Sequence, residues 1–106
     1  MVAVVPARDA ALVLPRTLPT LLAQDYRGSF EVIVVDDASG DGTGEIARSL
    51  GARVIRTSGP PPGWAGKVAA MVAGVAAAEA ADYLLFTDAD IGYPADGLAA
   101  LVDAAR

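Results

Sequence analysis

Phe30-Glu31-Val32-Ile33-Val34-Val35 runs directly into Asp36-Asp37-Ala38-Ser39-Gly40-Asp41-Gly42-Thr43. The first part is apolar apart from Glu31 and rich in β-branched residues, so it reads as a strand. An unbroken apolar run, rather than an alternating one, fits a strand covered on both faces, as in a parallel sheet. The acidic segment that follows then lies at the strand's carboxyl end, the edge at which open parallel sheets bind ligands. A second segment repeats the pattern, with Tyr83-Leu84-Leu85-Phe86-Thr87 leading into Asp88-Ala89-Asp90. Both runs read as buried parallel strands, which places both acidic clusters on one edge. Uncompensated carboxylates gathered there repel each other, and this predicts a metal ion or a ligand rich in hydrogen-bond donors.

The flanking segments complete an alternating pattern. Val2-Ala3-Val4-Val5 is a first short strand closed by Pro6. Leu14 to Gln24 reads as a helix with Leu14, Leu18, Leu21 and Leu22 on one face. Pro15 suits a first turn, whereas Pro19 predicts a late start or a bend. Asp25-Tyr26-Arg27-Gly28 is a turn. Asp41-Gly42-Thr43 opens a second helix that runs to about Leu50 and stops at Gly51. Arg53-Val54-Ile55-Arg56 is a short strand whose charged flanks place it near an edge. Ser58-Gly59-Pro60-Pro61-Pro62-Gly63 is a stiff loop, and Trp64-Ala65-Gly66-Lys67 leads into an alanine-rich helix ending near Ala80. A last helix starts at Tyr93-Pro94-Ala95-Asp96. The order βαβαβαβα predicts a three-layer α/β/α domain, with a mostly parallel sheet of about four strands and right-handed crossovers. So few strands leave a small core and an unpaired edge. That predicts a piece of a longer protein, or a unit that completes itself by association.

Composition narrows the chemistry. The chain has 106 residues, one domain's worth, and is 54% hydrophobic and 20% charged, which fits a packed core. A net charge of −5 without a basic stripe argues against a nucleic-acid partner. There is no cysteine, which excludes disulfides and thiolate metal sites. There is no histidine, which removes the commonest general base, the usual zinc ligand and any Ser-His-Asp triad. The longest apolar stretch, Val68 to Ala78, falls well short of the ~20 residues that cross a bilayer. A soluble, cytoplasmic domain is expected.

Each candidate site residue has a plain structural reading beside the functional one. Asp88 and Asp90, two residues apart at a strand end, suit one divalent cation, or a cation and sugar hydroxyls; otherwise one of them caps the next helix. Asp36 and Asp37 should point to opposite sides, so that one can accept a hydrogen bond from a base ring N–H while its neighbour bonds the backbone. Ser39, Asp41 and Thr43 suit capping and turn roles. Pro6-Ala7-Arg8-Asp9 is either a tight turn beside a nucleobase or a simple strand exit. Lys67, at a helix N-terminus, could add positive charge to a phosphate site or merely face solvent. Trp64 could stack on a ligand or cover its loop.

At these residues the sequence resembles family-2 glycosyltransferases with the GT-A fold, whose nucleotide-binding half has a Rossmann-like sheet. Five segments match in order: the opening strand with Pro6-Ala7-Arg8-Asp9, the stretch Leu21 to Tyr26, the stretch Val34 to Thr43, Gly66-Lys67 with Gly74, and the stretch Leu85 to Asp90. The resemblance covers nearly the whole chain. It implies transfer of a sugar from a nucleoside-diphosphate donor to an acceptor hydroxyl, with Mg²⁺ or Mn²⁺. It further implies that Pro6, Ala7 and Asp9 lie beside the nucleotide and that Asp37 binds the base. Lys67 would lie near base or diphosphate and Asp88 near ribose or sugar, while Asp90, with Asp88, holds the metal. The family's catalytic base is a carboxylate in the acceptor half, and no residue here matches it, so it is expected beyond residue 106. Two positions depart from the pattern. Val72 stands where many members have asparagine, and Arg8-Asp9 where many have Asn-Glu. The run Gly63-Trp64-Ala65-Gly66-Lys67 resembles a bacterial subgroup linked to hopanoid biosynthesis. That implies a lipid or polyprenoid acceptor, and a full-length protein at the cytoplasmic face of the membrane.

Two other classes fit parts of the sequence. A haloacid-dehalogenase-like phosphotransferase would use Asp88 as nucleophile and Asp90 as acid/base, but needs a lysine and further aspartates downstream. The other is a non-catalytic module: a receiver-like one would place its acidic pair after the first strand, where Pro6-Ala7-Arg8-Asp9 stands, whereas a nucleotide-binding or assembly module shares most features with the glycosyltransferase reading.

Overall fold

The computed structural model describes residues 1–24, 30–58, 66–78 and 84–93, together with 97 and 99; for 66–68 it gives the backbone alone. The elements run β1 (Val2–Ala7), α1 (Leu14–Leu22), β2 (Glu31–Asp37), α2 (Thr43–Leu50), β3 (Arg53–Thr57), α3 (Gly66–Ala77) and β4 (Leu84–Phe86). The strands form one parallel sheet in the order β3-β2-β1-β4. The expected turn at Asp25–Gly28, the loop from Gly59 to Gly63, and Trp64 lie outside the described residues. So does the expected last helix, apart from residues 97 and 99, which are helical.

Strand alternation sorts the apolar side chains into two layers. Ala3, Val5, Val32 and Val34 pack against Leu14, Leu18 and Leu21 of α1 and Ala47 of α2. Val2, Val4, Ile33 and Val35 face the other way, against Ala70 of α3 and Ala78. This is the expected three-layer arrangement. Gly74 is where α3 comes closest to the sheet: a Cβ there would lie 2.2 Å from Val4 Cγ1, so only glycine fits.

Several boundaries differ from the sequence expectations. Pro6 does not close β1, which continues to Ala7. The Thr87 amide donates to the Val4 carbonyl, so Val4, and by alternation Pro6, present their backbone groups toward β4. β4 pairs only with Val2 to Val4. Pro6 therefore lacks an N–H at a place where no strand among the described residues needs one. Helix α1 starts at Leu14 rather than late, and keeps Pro19 inside it. Burial of Leu14, Leu18 and Leu21 to 3% exposure or less outweighs the missing Pro19 hydrogen bond. Helix α2 opens at Thr43 rather than Asp41, whose side chain instead accepts from the Thr43 amide (3.1 Å). β4 is not a buried strand. It is a three-residue edge with Leu84 and Phe86 about two-fifths exposed, because among the described residues only β1 flanks it. β3 is the opposite edge, as its charged flanks predicted. No helix among the described residues is long and apolar enough to cross a membrane.

Candidate functional site

Because every strand is parallel, the carboxyl ends of β1, β2 and β4 share one edge of the sheet. There β1 separates β2 from β4, so Asp37 and the segment after Phe86 sit about two strand spacings apart, roughly 10 Å. Pro6 lies between them on the central strand.

The acidic pair of β2 splits across the sheet. Asp36 points toward α2 and is fully buried. It sits so close beneath the first turn of α2 that a Cβ on Gly44 would lie 2.6 Å from its Oδ2. Its Oδ2 accepts from Arg56 Nη1 (2.8 Å) and its Oδ1 from the Ser39 amide (3.1 Å). The expectation of uncompensated carboxylates therefore fails at Asp36. A buried carboxylate is retained only with such partners, and the positive end of α2 adds to them. Asp37 points to the α3 side, is 4% exposed, and accepts from Thr57 Oγ1 (2.8 Å) through its Oδ1.

Four hydrogen bonds zip the loop after β1 to the loop after β2. The Asp9 amide donates to Ser39 Oγ (2.9 Å), Ala10 to Thr43 Oγ1 (3.0 Å) and Ala11 to Asp41 Oδ2 (3.1 Å), while Gly40 donates to Asp9 Oδ1 (3.0 Å). Asp9 and Ala38 take left-handed backbone conformations here, with φ of 50° and 55°. Such strain is unusual for alanine and persists only where surrounding bonds hold it. The Asp41 carboxyl is held below the usual carboxylate range, first by the Thr43 hydroxyl and then by the Ala11 and Thr43 amides, against a partial desolvation.

The segment after β4 is moored to α1. Thr17 Oγ1 donates to the Ala89 carbonyl, the Tyr93 amide donates to Thr20 Oγ1 (2.9 Å), and the Tyr93 hydroxyl to Thr87 Oγ1 (2.6 Å). Asp88 and Asp90 on this turn are both exposed. A cavity of about 280 Å³ opens beside it, lined by Pro6, Met71, Phe86, Asp88 and Tyr93 among others.

The predicted site residues thus separate into groups. Pro6 and Asp88 line one cavity, whose lining does not include Asp37, Asp9 or Asp90. Ala7 is buried in β1, and one Asp9 carboxylate oxygen is engaged by Gly40. The Lys67 side chain lies outside the described residues. Among the described residues no three acidic groups gather at one point. Asp88 and Asp90 are two exposed hard-oxygen donors. They suit Mg²⁺ or Mn²⁺, which take one or two carboxylates and complete their shell with water and substrate phosphates. Sequence reasoning missed Arg56, Thr57, Thr17, Thr20 and Tyr93. One signal for the first two was available: the strand Arg53–Thr57 ends on an Arg-Thr pair, just as β2 ends on Asp-Asp.

The model of glycosyl transferase family 2 matches residues 2–106. The chain belongs to this family. A 4,4'-diaponeurosporenoate glycosyltransferase of Staphylococcus haemolyticus is 41% identical over 90 residues, covering 83% of this chain and 23% of that protein. TarS of S. aureus, residues 1–349 in complex with UDP-GlcNAc, superposes with a TM-score of 0.74 at 27% identity, over 98% of this chain and 29% of that one. The mannosyltransferase PcManGT of Pyrobaculum calidifontis, in complex with GDP-Man and Mn²⁺, gives 0.68 at 26% identity, over 88% and 28%. The chain therefore spans between a quarter and a third of these solved relatives, and less than a quarter of the curated one. The match decides among the three classes left open by the sequence, in favour of the family-2 glycosyltransferases, and the parallel α/β sheet agrees with the GT-A neighbours.

Proposed function

We propose that this chain is the nucleotide-sugar-binding domain, residues 1–106, of a longer family-2 glycosyltransferase that moves a sugar from a nucleoside-diphosphate donor to an acceptor hydroxyl. The observation that carries the reading is the shared carboxyl edge, where Pro6 stands at the end of β1, Asp37 ends β2 and Asp88 follows β4. Relatives solved with UDP-GlcNAc and with GDP-Man and Mn²⁺ support it.

In this reading Asp37, with Oδ1 engaged by Thr57, offers its other oxygen to a ring N–H of the base. Pro6, Ala7 and Asp9 border the nucleotide, Asp9 chiefly by holding the loop after β2. Lys67 supplies positive charge near the diphosphate at the start of α3. Asp88 serves the ribose or sugar, and Asp90, with Asp88, would hold Mg²⁺ or Mn²⁺. Such an ion supplies Lewis-acid neutralisation of the charge that builds on a leaving diphosphate. The catalytic base comes from the remainder of the longer protein.

The 41%-identical relative is named as a 4,4'-diaponeurosporenoate glycosyltransferase. That supports a lipid or polyprenoid acceptor here, of the hopanoid kind that the Gly63 to Lys67 run implied, handled at the cytoplasmic face of a membrane. The outer edge of β4, unpaired among the described residues and with Leu84 and Phe86 exposed beside it, supports self-association of the chain in isolation.

Calorimetry with UDP and GDP, with and without Mn²⁺, tests the reading. Weak, metal-strengthened binding of one nucleotide is expected, with little or no sugar transfer, and Asp37→Asn should lower affinity about tenfold through the lost charge-assisted bond. A folded chain that gives no heat with either nucleotide refutes it.

A further inference from the structure

β3 ends by gripping both members of the acidic pair, one on each face of the sheet. The register sets Arg56 beside Asp36 and Thr57 beside Asp37. On the α2 side, Arg56 Nη1 holds Asp36 Oδ2 at 2.8 Å while Nη2 donates to the Ser39 carbonyl at 3.0 Å. Asp36 Oδ1 in turn accepts from the Ser39 amide at 3.1 Å. Ser39 is thereby held at both its amide and its carbonyl. Between Asp37 and Ser39 stands only Ala38, bent into the left-handed region at φ 55°. On the α3 side, the Thr57 hydroxyl fixes one oxygen of Asp37. Ser39 also receives the Asp9 amide, so the same grip reaches the loop after β1.

We propose that Arg56 is a positioning residue for nucleotide recognition: by joining the buried Asp36 carboxylate to the Ser39 carbonyl, it holds the strained turn at Ala38 and thereby aims Asp37. The role rests on the nucleotide-binding reading above. Lysine cannot replace the guanidinium, because a single ammonium on a flexible stem lacks the planar fork that reaches both oxygens at once. The charge that compensates Asp36 does survive in that substitution, so the fold is kept.

Arg56→Lys is compared with the parent in three measurements: affinity for UDP or GDP with Mn²⁺, affinity for inorganic pyrophosphate with Mn²⁺, and ligand-free amide exchange at residues 38–42, with thermal melting as the check on folding. Nucleotide affinity should fall about tenfold, the cost of one bond to a charged group, while pyrophosphate affinity stays at the parent's value. Exchange in the 38–42 turn should rise by a similar factor with melting little changed. Unchanged exchange overturns the clamp whatever the ligand results. Nucleotide affinity equal to the parent's, or an equal loss for nucleotide and pyrophosphate, overturns the aiming role. A parent chain that binds neither UDP nor GDP overturns the nucleotide reading itself, and the exchange result still decides the clamp.

Discussion

Replacing Gly74 by alanine adds one methyl group where α3 crosses β1. The new Cβ would lie 2.2 Å from Val4 Cγ1, 3.2 Å from Cγ2 and 3.3 Å from Cβ, whereas ordinary contact begins at 3.4 Å. The worst contact is therefore short by 1.2 Å (3.4 less 2.2 Å). Val4 cannot swing aside: it is fully buried, β-branched and on a strand with neighbours on both sides. The helix must lift instead, and overpacking of this kind costs about 1–3 kcal/mol. Alanine's better helix propensity offsets about 0.5–1 kcal/mol of that. The net expectation is a loss centred on about 1 kcal/mol and at most about 2.5 kcal/mol, a large share of the few kcal/mol that hold a small domain together. Urea denaturation would read it as a lower midpoint at unchanged slope. The origin of the loss is separable from a general defect, because Val4→Ala removes both Cγ atoms. In the double mutant only the 3.3 Å approach to Cβ remains, and a favourable coupling of about 1 kcal/mol should appear, above the ~0.5 kcal/mol scatter of independent sites. Gly74→Ala as stable as the parent, or a cycle that is simply additive, would refute the close-approach argument.

Two further outcomes are expected. Because the folded state holds the Asp41 carboxyl below its usual range, its stabilising effect is full above the unfolded value of about 3.9 and is lost as pH falls through the folded value. The stability gap between parent and Asp41→Asn, measured by denaturation, should therefore be widest near neutrality and close in acid; a constant or widening gap would contradict this. Thr17→Val removes the donor to the Ala89 carbonyl at a cost of about 1 kcal/mol. Deuterium uptake across residues 87–93 should rise, and uptake identical to the parent's would show that the turn bearing Asp88 and Asp90 is not moored by α1.

Much of the fold was legible because local chemistry and global architecture agree. Unbroken valine-rich runs mark strands covered on two faces, and Gly51 stops α2 where a left-handed cap was expected. The failures share one cause, that neighbours are not visible in a sequence. Leu84-Leu85-Phe86 has the composition of a buried strand, yet strand order makes it an edge. Pro19 has the local signature of a helix end, yet three buried leucines hold α1 through it. At the site, the sequence located the aspartates and turned Asp36 and Asp37 to opposite sides, but showed the partner of neither. Residues twenty positions away on β3 made them different, by giving Asp36 an arginine and Asp37 a threonine.

The order of strands and helices, the acidic ends of two strands, and the absence of histidine and cysteine chemistry were settled by residue type and spacing alone, since periodicity and composition are local properties. Which carboxylate is buried, which loop is zipped to which, and that β4 lies at an edge were settled by the packing of the sheet. The parallel register brings together groups far apart in the chain, and burial makes each charge depend on the partner it finds there.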